Sequence, residues 1–322
     1  MNNTLTTQND NSGYIAVVGG VNIDIGGIST DKLVKGDSNP GLISINLGGV
    51  GRNIAHNLSL LRCPVKLITA IGDDTNAMLI KTSCRKLNID ISESYTAKGE
   101  ASSTYLFIND SDGDMALAVN DMRICNRLTP DFFKEKLDVL NGARLVVLDT
   151  NIPKESIEFI ADNVKVPIFA DAVSTVKVMK LKSAIGRLHS IKANKIEAQA
   201  LSGIEISDDA SLKAAAALLI GMGAERVFIS LGEEGMAAAT RDDFIKIASD
   251  KVRPVSTTGA GDAVTAALAL AYCENLSLED SLKCANRAAR ITLEAESAVS
   301  ERLRRELLLP SVYRYEHLWS VL

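Results

Sequence analysis

The chain has 322 residues, of which 46% are apolar and 23% are charged. This composition excludes a disordered chain, a collagen-like fibre and a small disulfide-stapled protein, and the length suits one large domain or two smaller ones. The 35 Lys and Arg residues against 40 Asp and Glu residues give a formal net charge of −5. That balance provides no basic surface, so we expect neither a nucleic-acid partner nor a membrane partner.

The five cysteines are scattered and include no C-x-x-C pair that would indicate zinc or a redox site. Residues 1–12 are polar and lack the basic start and apolar stretch of a signal peptide, so we interpret them as a disordered tail. No run reaches the roughly 18 apolar residues that a membrane span needs. A reducing cytoplasm is therefore the expected location.

Short apolar runs rich in β-branched residues alternate with helix-period segments along most of the chain. This pattern predicts an α/β fold with a mostly parallel central sheet flanked by helices. The predicted buried strands cover residues 14–20, 65–72, 143–150, 166–172 and 226–232. The main α/β domain that we predict comprises residues 13–27, 48–98 and 126–322.

Two segments break this rhythm, residues 28–47 and residues 99–125. Their apolar and polar residues alternate, and the second segment contains an Asp-Gly turn at Asp112 and Gly113, the usual signal of an antiparallel hairpin. We predict that both form a small β-sheet lid over a site at the carboxyl ends of the main strands. An uncovered strand edge and apolar face would favour a homodimer joined through the lids.

A glycine-rich turn precedes a helical run of small residues and contains Gly259, Ala260, Gly261 and Asp262. Glycines let backbone N–H groups converge at a helix start, where unpaired donors and the helix dipole favour an anion. A carboxylate there would repel phosphate, unless it accepts a proton from a hydroxyl that attacks the phosphate. The alternative is an ordinary turn in which Asp262 is a first-turn helix charge.

Two earlier motifs contain candidate ligand-binding residues. Segment 47–53 joins a strand to a helix but lacks the third glycine of a dinucleotide fingerprint. Gly49 and Asn53 therefore either contact a small polar ligand or only form a tight turn. Asn22 and Asp24 follow the first predicted strand and share one face, where they could bind paired sugar hydroxyls or cap a turn.

Two later motifs each allow both a ligand-binding role and a purely structural role. Asn194 and Glu197 are three residues apart, so at a helix start they would share a face and could hold hydrated Mg²⁺ and phosphate oxygens. The alternative is a capping box. Ser230 and Gly232 belong to a strand that runs into a glycine turn, which suits a nucleotide-edge loop or a hairpin. No Walker A loop, H-E-x-x-H site or G-x-S-x-G elbow is present.

Taken in order, the motifs N-x-D at 22–24, G-G-x-G-x-N at 48–53, N-x-x-E at 194–197 and G-A-G-D at 259–262 resemble those of the ribokinase-like (PfkB) family of carbohydrate and nucleoside kinases. The resemblance covers about residues 14–300. It implies a ribokinase-like fold and an enzyme that uses ATP and Mg²⁺ to phosphorylate a hydroxyl group.

Within the family, the segments 37–41, 48–55, 119–122, 171–174 and 191–194 are most similar to members that act on pseudouridine. The resemblance therefore implies transfer to the 5′-hydroxyl of that nucleoside. A kinase for ribose or a common nucleoside is one alternative. A sugar or nucleoside sensor without turnover is another, although it would have no need for a proton acceptor beside an anion site.

The resemblance also implies a role for each motif residue. The catalytic residues would be Asp262 as the base and, as backbone donors to the transferring phosphoryl group, Gly259, Ala260 and Gly261. The substrate would contact Asn22, Asp24, Gly49 and Asn53, with Asn120 and Asn151 as further candidates. The nucleotide would contact Asn194, Glu197, Ser230, Gly232 and Asn286, with Glu197 also close to Mg²⁺.

The sequence departs from the family pattern at two positions. Ser256 stands where relatives that bind a monovalent cation often have Asp, so K⁺ stays open as a cofactor. Ala193 replaces a frequent Pro in the K-P-N segment. Neither departure affects the G-A-G-D motif.

Overall fold

The computed structural model describes residues 13–249 and 252–309. The predicted tail at 1–12 and the last residues, 310–322, lie outside this part of the chain. The strands are β1 (Ile15–Val18), β2 (Asn22–Ser29), β3 (Gly41–Gly48), β4 (Val65–Ile68), β5 (Ala70–Ile71), β6 (Ile89–Asp90), β7 (Tyr95–Thr96), β8 (Thr104–Asn109), β9 (Met115–Asp121), β10 (Leu145–Asp149), β11 (Ile168–Asp171), β12 (Ser190–Asn194), β13 (Arg226–Ser230), β14 (Met236–Ala239) and β15 (Phe244–Ile247).

The α-helices are α1 (Val50–Leu60), α2 (Thr75–Lys86), α3 (Pro130–Lys134), α4 (Leu137–Asn141), α5 (Lys154–Asn163), α6 (Lys195–Ser202), α7 (Asp209–Gly221), α8 (Ala260–Cys273), α9 (Leu278–Leu293) and α10 (Arg305–Leu308). Short 3₁₀ helices cover Arg123–Arg127, Lys177–Leu181, Ile185–Arg187 and Gly232–Glu234. Among the described residues, no helix combines the length and the hydropathy that a membrane crossing requires.

Nine strands form the central sheet in the order β15-β14-β13-β12-β11-β10-β1-β4-β6. The seven strands from β13 to β6 are parallel, and β14 and β15 add an antiparallel edge. Alternate residues of each strand enter two separate apolar clusters, one on each face of the sheet. Because helices cover both faces, most residues of these strands are apolar on both faces of the sheet. The expected α/β fold class is confirmed.

All five strands that the sequence predicts for the central sheet are present within a few residues of their expected ends. The sequence does not predict β12, because residues 192–198 indicate only a helix start. Its five residues, S-I-K-A-N, have a lysine in the middle and give a weak apolar signal. β12 nevertheless is an inner strand between β11 and β13, with all of its residues but Asn194 buried.

A second sheet has the order β3-β2-β8-β9 and contains the predicted hairpin. The Asp110 carboxylate accepts hydrogen bonds from the N–H groups of Asp112 and Asp114, and Gly113 has a φ of 91°. β2 begins at Asn22, so this sheet includes residues 22–27, which the sequence pattern assigns to the main domain. Asn22 and Asp24 therefore lie at the start of a lid strand rather than at the end of β1.

The two faces of the small sheet have different chemistry. The register aligns Asp24 with Tyr105 and Tyr105 with Asn120, so these three polar side chains share one face. The opposite face is apolar, and its exposed members are Ile43, Ile45, Leu106, Leu117 and Val119.

The structure predicts opposite effects for alanine at two helical glycines. At Gly51 in α1, a methyl group would lie 2.9 Å from the backbone of Gly19, so we expect Gly51→Ala to lower the free energy of unfolding by about 1–3 kcal/mol. At Gly221, the last residue of α7, nothing lies within 4 Å, so Gly221→Ala should leave stability unchanged or raise it by up to about 1 kcal/mol. Urea unfolding of both variants measures the difference. Equal effects would show that the contact between α1 and Gly19 is not tight.

Candidate active site

Most of the predicted site residues lie at the carboxyl edge of the central sheet. Strands β10, β11 and β12 end at this edge, and helices α1 and α8 begin there. Asp149 and Asp171 are the last residues of β10 and β11 and are buried. Carboxyl edges of parallel sheets are common places for ligands, because the loops and helix starts meet there. Buried acidic side chains at this edge need a specific physical explanation.

The G-A-G-D motif forms a tight turn into α8. Gly259 has a φ of 81°, and a methyl group there would clash with the backbone oxygen of Ala298, so glycine is required. α8 begins at Ala260, and Asp262 lies in its first turn with only 8% of its surface exposed. The N–H groups of the first helical turn lack partners within the helix. The structure thus contains the helix start that the sequence indicated.

Asp262 is hydrogen-bonded to Asn53, although 209 positions separate them in the sequence. Asn53 Nδ2 donates to Asp262 Oδ2 at 2.9 Å. Arg52 Nη1 donates to Asn53 Oδ1 at 3.4 Å and to the backbone oxygen of Leu47 at 3.2 Å. Because Arg52 occupies the amide oxygen, the amide nitrogen of Asn53 is directed toward the carboxylate.

Burial is the main influence on the Asp262 carboxyl and raises its pKa to about 8, with the negative charge of Asp171 acting in the same direction. The hydrogen bond from Asn53 and the positive charge of Lys192 oppose this effect but do not cancel it. A carboxyl group with a pKa near neutrality can both accept and release a proton at physiological pH.

Lys192 on β12 is a cation of this cluster that the sequence motifs do not reveal. Its Nζ lies 3.3 Å from Asp171 Oδ2, and a methyl group at Gly261 would lie 2.6 Å from the same Nζ. Burial lowers the pKa of Lys192, but the charges of Asp171, Glu197 and Asp262 outweigh burial and raise it. A buried positive charge therefore lies directly against the glycine turn.

Asp149 and Asp171 were also missed as site residues. Asp149 accepts hydrogen bonds from the N–H groups of Gly20 at 2.8 Å and Asn151 at 2.7 Å. Asp171 accepts one from Thr265 Oγ1 at 2.5 Å in addition to its ion pair with Lys192. One sequence signal could have found both acids, because each is a carboxylate at the last position of an apolar strand.

The first two motifs meet on the lid side of the site. Asn22 Nδ2 donates to Asp24 Oδ1, and burial raises the pKa of Asp24 against the opposing effects of Asn22 and Arg52. Gly49 has a φ of 96°, and a methyl group there would lie 2.6 Å from the backbone oxygen of Gly20. The close approach explains why the turn between β3 and α1 needs glycine at this position.

Asn194 and Glu197 form the capping box that the sequence left as an alternative. Asn194 Oδ1 accepts from the Glu197 N–H at 2.9 Å, and Glu197 Oε2 accepts from the Asn194 N–H at 2.8 Å. Burial raises the pKa of Glu197, which is 4% exposed. The box uses one carboxylate oxygen, so a structural role and a metal-binding role are compatible.

The remaining predicted residues lie around this centre. Ser230 ends β13 in register with Asn194, and Gly232 begins the following 3₁₀ turn with a φ of 63°. Asn286 on α9 donates to the backbone oxygen of Ala248 at 3.3 Å, on the side of the antiparallel edge. Asn120 is exposed on the polar face of the lid.

Asn151 follows β10 and belongs to a polar group that the motifs did not reveal. Its Oδ1 accepts a hydrogen bond from Lys177 Nζ at 2.6 Å. The structure thus brings Asn53, Gly261 and Asp262 together, places Asp24 and Gly49 beside them on the lid side, and sets Asn151 at the neighbouring strand end.

Comparisons with known proteins agree with this geometry. The model of the pfkB family of carbohydrate kinases matches residues 12–303. The pseudouridine kinase of Escherichia coli strain K12 is 33% identical over 285 residues, which are 88% of this chain and 91% of that protein. An uncharacterised sugar kinase of the same organism, YeiI, is also 33% identical, over 89% of this chain and 83% of its own length.

Solved structures show the same fold. A carbohydrate kinase from Agrobacterium tumefaciens is 26% identical with a TM-score of 0.82, covering 92% of this chain and 98% of its own. The Arabidopsis thaliana ribokinase complexed with ribose and ATP also has a TM-score of 0.82, at 22% identity, covering 93% of this chain and 99% of its own. The chain therefore belongs to the pfkB family of carbohydrate kinases and is a ribokinase-like phosphotransferase that acts on a hydroxyl group of a sugar or nucleoside.

Proposed function

We propose that this kinase transfers the γ-phosphoryl group of ATP to the 5′-hydroxyl of pseudouridine, giving pseudouridine 5′-phosphate and ADP. The observation that carries the proposal is the hydrogen bond between Asn53 and Asp262 beside the glycine turn of α8. It joins a residue suited to a sugar hydroxyl with a buried proton acceptor. The name of the E. coli relative supports the choice of nucleoside.

In this proposal, the 5′-hydroxyl donates its proton to the Asp262 carboxylate while its oxygen attacks the γ-phosphorus, and the bond to the β-phosphate oxygen breaks. The backbone N–H groups of Gly259, Ala260 and Gly261 bind the transferring phosphoryl oxygens at the positive end of α8. The Lys192 ammonium against Gly261 adds positive charge at the same place. Asn22, Asp24, Gly49 and Asn53 hold the ribose.

The nucleotide is proposed to lie along Asn194, Ser230, Gly232 and Asn286. Among the described residues, no three His, Cys, Asp or Glu side chains group as a metal site. A single carboxylate fits Mg²⁺, which typically takes one or two carboxylates together with phosphate oxygens and water. Glu197 would hold it, because Oε2 is used by the capping box and Oε1 is left. Mg²⁺ supplies neutralisation of phosphate charge.

We assign no K⁺ to Ser256. Ser256 Oγ accepts a hydrogen bond from the Thr258 N–H at 3.2 Å, so this hydroxyl serves the local turn.

A substrate panel with ADP detection tests the choice of nucleoside. We expect pseudouridine to have the highest kcat/KM among pseudouridine, uridine, adenosine and free ribose. Pseudouridine has a ring N–H where uridine has a C–H, and one hydrogen bond to a lid group such as Asn120 contributes about 0.5–1.5 kcal/mol, or roughly tenfold. If uridine, adenosine or ribose is phosphorylated faster than pseudouridine, the chain is a kinase for another ribosyl compound. Binding without turnover of any of them would indicate a sensor.

Asp262→Asn separates catalysis from stability. We expect the variant to bind ATP but to lose roughly 10²- to 10⁴-fold in kcat, and we expect wild-type kcat/KM to fall below about pH 8 as Asp262 becomes protonated. The folded protein holds this proton more tightly than the unfolded chain, whose carboxyl has a pKa of 3.8. The free energy of unfolding of the wild type should therefore decrease as the pH rises from about 4 to about 8. Asp262→Asn should not show this decrease.

Kinetics and urea unfolding at pH 5 and pH 8.5 measure the two effects. Near-wild-type turnover of Asp262→Asn would remove Asp262 from the base role. A stability difference between variant and wild type that does not change with pH would show that Asp262 is ionised in the free enzyme.

We also propose a homodimer joined through the apolar faces of the lid sheets. Leu117 and Ile43 on this face are 59% and 73% exposed, and exposed apolar patches of this kind commonly mark interfaces. We expect Ile43→Lys to shift the protein toward a monomer in analytical ultracentrifugation. Leu42→Lys is the matched control, because Leu42 is 69% exposed on the opposite face of the same strand. Equal effects of the two substitutions, or a monomeric wild type, would contradict this interface.

A further inference from the structure

Lys177 is a half-buried lysine that lies outside the sequence motifs. It has no role in the proposed phosphoryl transfer. Its Nζ donates to Asn151 Oδ1 at 2.6 Å and lies 4.0 Å from Met122 Sδ. Among residues 13–249 and 252–309, no carboxylate lies within ion-pairing distance of this ammonium. An ammonium group has three N–H donors, so one strong hydrogen bond leaves donors available for a ligand.

The position of Lys177 is set by an unusual backbone segment. Val173 has a φ of 63°, a left-handed conformation that is rare for a β-branched residue. Its N–H donates to Asp171 Oδ1 at 3.0 Å, which ties the segment to the end of β11. The 3₁₀ helix then begins at Lys177 itself. Strained conformations of this kind persist where the surrounding structure holds them, most often at functional sites.

Gly20 separates Lys177 and Asn151 from the proposed sugar site. A methyl group at Gly20 would lie 3.1 Å from Asn151 Nδ2 and 3.0 Å from Met122 Cε. A methyl group at Gly49 would lie 2.6 Å from the backbone oxygen of Gly20. Gly20 therefore contacts the sugar-binding turn on one side and Asn151 and Met122 on the other.

The polar groups of Lys177 and Asn151 favour a ligand that accepts hydrogen bonds. The Asn151 oxygen accepts a hydrogen bond from the ammonium, and the Asn151 side chain also hydrogen-bonds Asp149, which opposes the rise in the pKa of that carboxyl. The Lys177 ammonium therefore keeps N–H donors for a ligand, while Asn151 is held between Lys177 and Asp149 and orients the ammonium. The Met122 side chain at the end of the lid adds an apolar wall. A ligand group that fits here must accept hydrogen bonds, as a carbonyl oxygen does.

We propose that Lys177, oriented by Asn151, binds a carbonyl oxygen of the ring attached to C1′ of the ribose, and so selects oxo-pyrimidine nucleosides. This inference rests on the proposed function and names the group that reads the base. A uracil ring has two carbonyl oxygens, whereas adenine has none and presents an amino group instead. A hydrogen bond from a charged donor is stronger than one from a neutral donor, so Lys177 contributes more to selectivity than an amide would.

The test uses the full-length protein, pseudouridine, and the C-linked ribosylbenzene, which has the same ribose and carbon link but no carbonyl. We expect Lys177→Met to lower kcat/KM for pseudouridine by roughly tenfold to 100-fold, mainly through a higher KM. The ribosylbenzene value, measured as kcat/KM or as an inhibition constant, and the KM for ATP should change less than about twofold. Lys182→Met is the matched control, since Lys182 is exposed in the same segment.

Lys177→Gln keeps an N–H donor and should retain part of the selectivity, which also guards against a folding defect in Lys177→Met. An equal loss of kcat/KM for pseudouridine and the ribosylbenzene would show that Lys177 acts on the sugar or on the fold. A higher KM for ATP would show that Lys177 contacts the nucleotide. Either result overturns the inference. Unchanged kinetics of Lys177→Met would overturn it as well, while the kinase assignment would stand. A wild-type enzyme that phosphorylates no ribosyl compound would remove both the proposed function and this inference.

Discussion

The structure depends on the burial of one carboxylate, Asp262, at the start of α8. Burying a charge without compensation is costly, so its neighbours must stabilise it or keep it protonated. Asn53 donates a hydrogen bond to this carboxylate, and the positive charge of Lys192 favours its ionised form. The contact between α1 and α8 therefore has a polar centre inside a largely apolar interface. This is the point at which residues far apart in the chain are held in one geometry.

The three buried aspartates differ in how fully their charge is compensated. Asp149 accepts two backbone N–H bonds, and Asp171 has both a hydroxyl donor and the Lys192 ammonium. Asp262 has one amide donor at 2.9 Å and no direct ion pair among the described residues. The negative charge of Asp171 also raises the pKa of Asp262. The least compensated acid is thus the one beside the glycine turn, which is where a proton acceptor is useful.

The sequence predicted the features that depend on local pattern. Apolar runs located five strands of the central sheet, the Asp112-Gly113 pair located the hairpin, and Gly259 marked the start of α8. It could not predict β12, because a five-residue strand containing Lys192 has no clear period. Nor could it reveal contacts such as Asn151 with Lys177, since nothing in their spacing indicates that two loop ends meet. Asn194 shows a third limit, because a capping box and a ligand site use the same residue types.

The lid illustrates why register matters more than composition in this molecule. Side chains alternate along each strand, so a slip of one residue would exchange the polar face that contains Asp24 with the apolar face that contains Ile43. The observed register places the Phe107 ring against Gly26, where a methyl group would lie 2.5 Å from the ring, so this pairing needs a residue without a side chain. The irregularity at Ile108 and Asn109 ends the regular pairing close to the turn. The close approach of Phe107 to Gly26 thus lies on the same face of the sheet as Asp24 and accompanies the observed register.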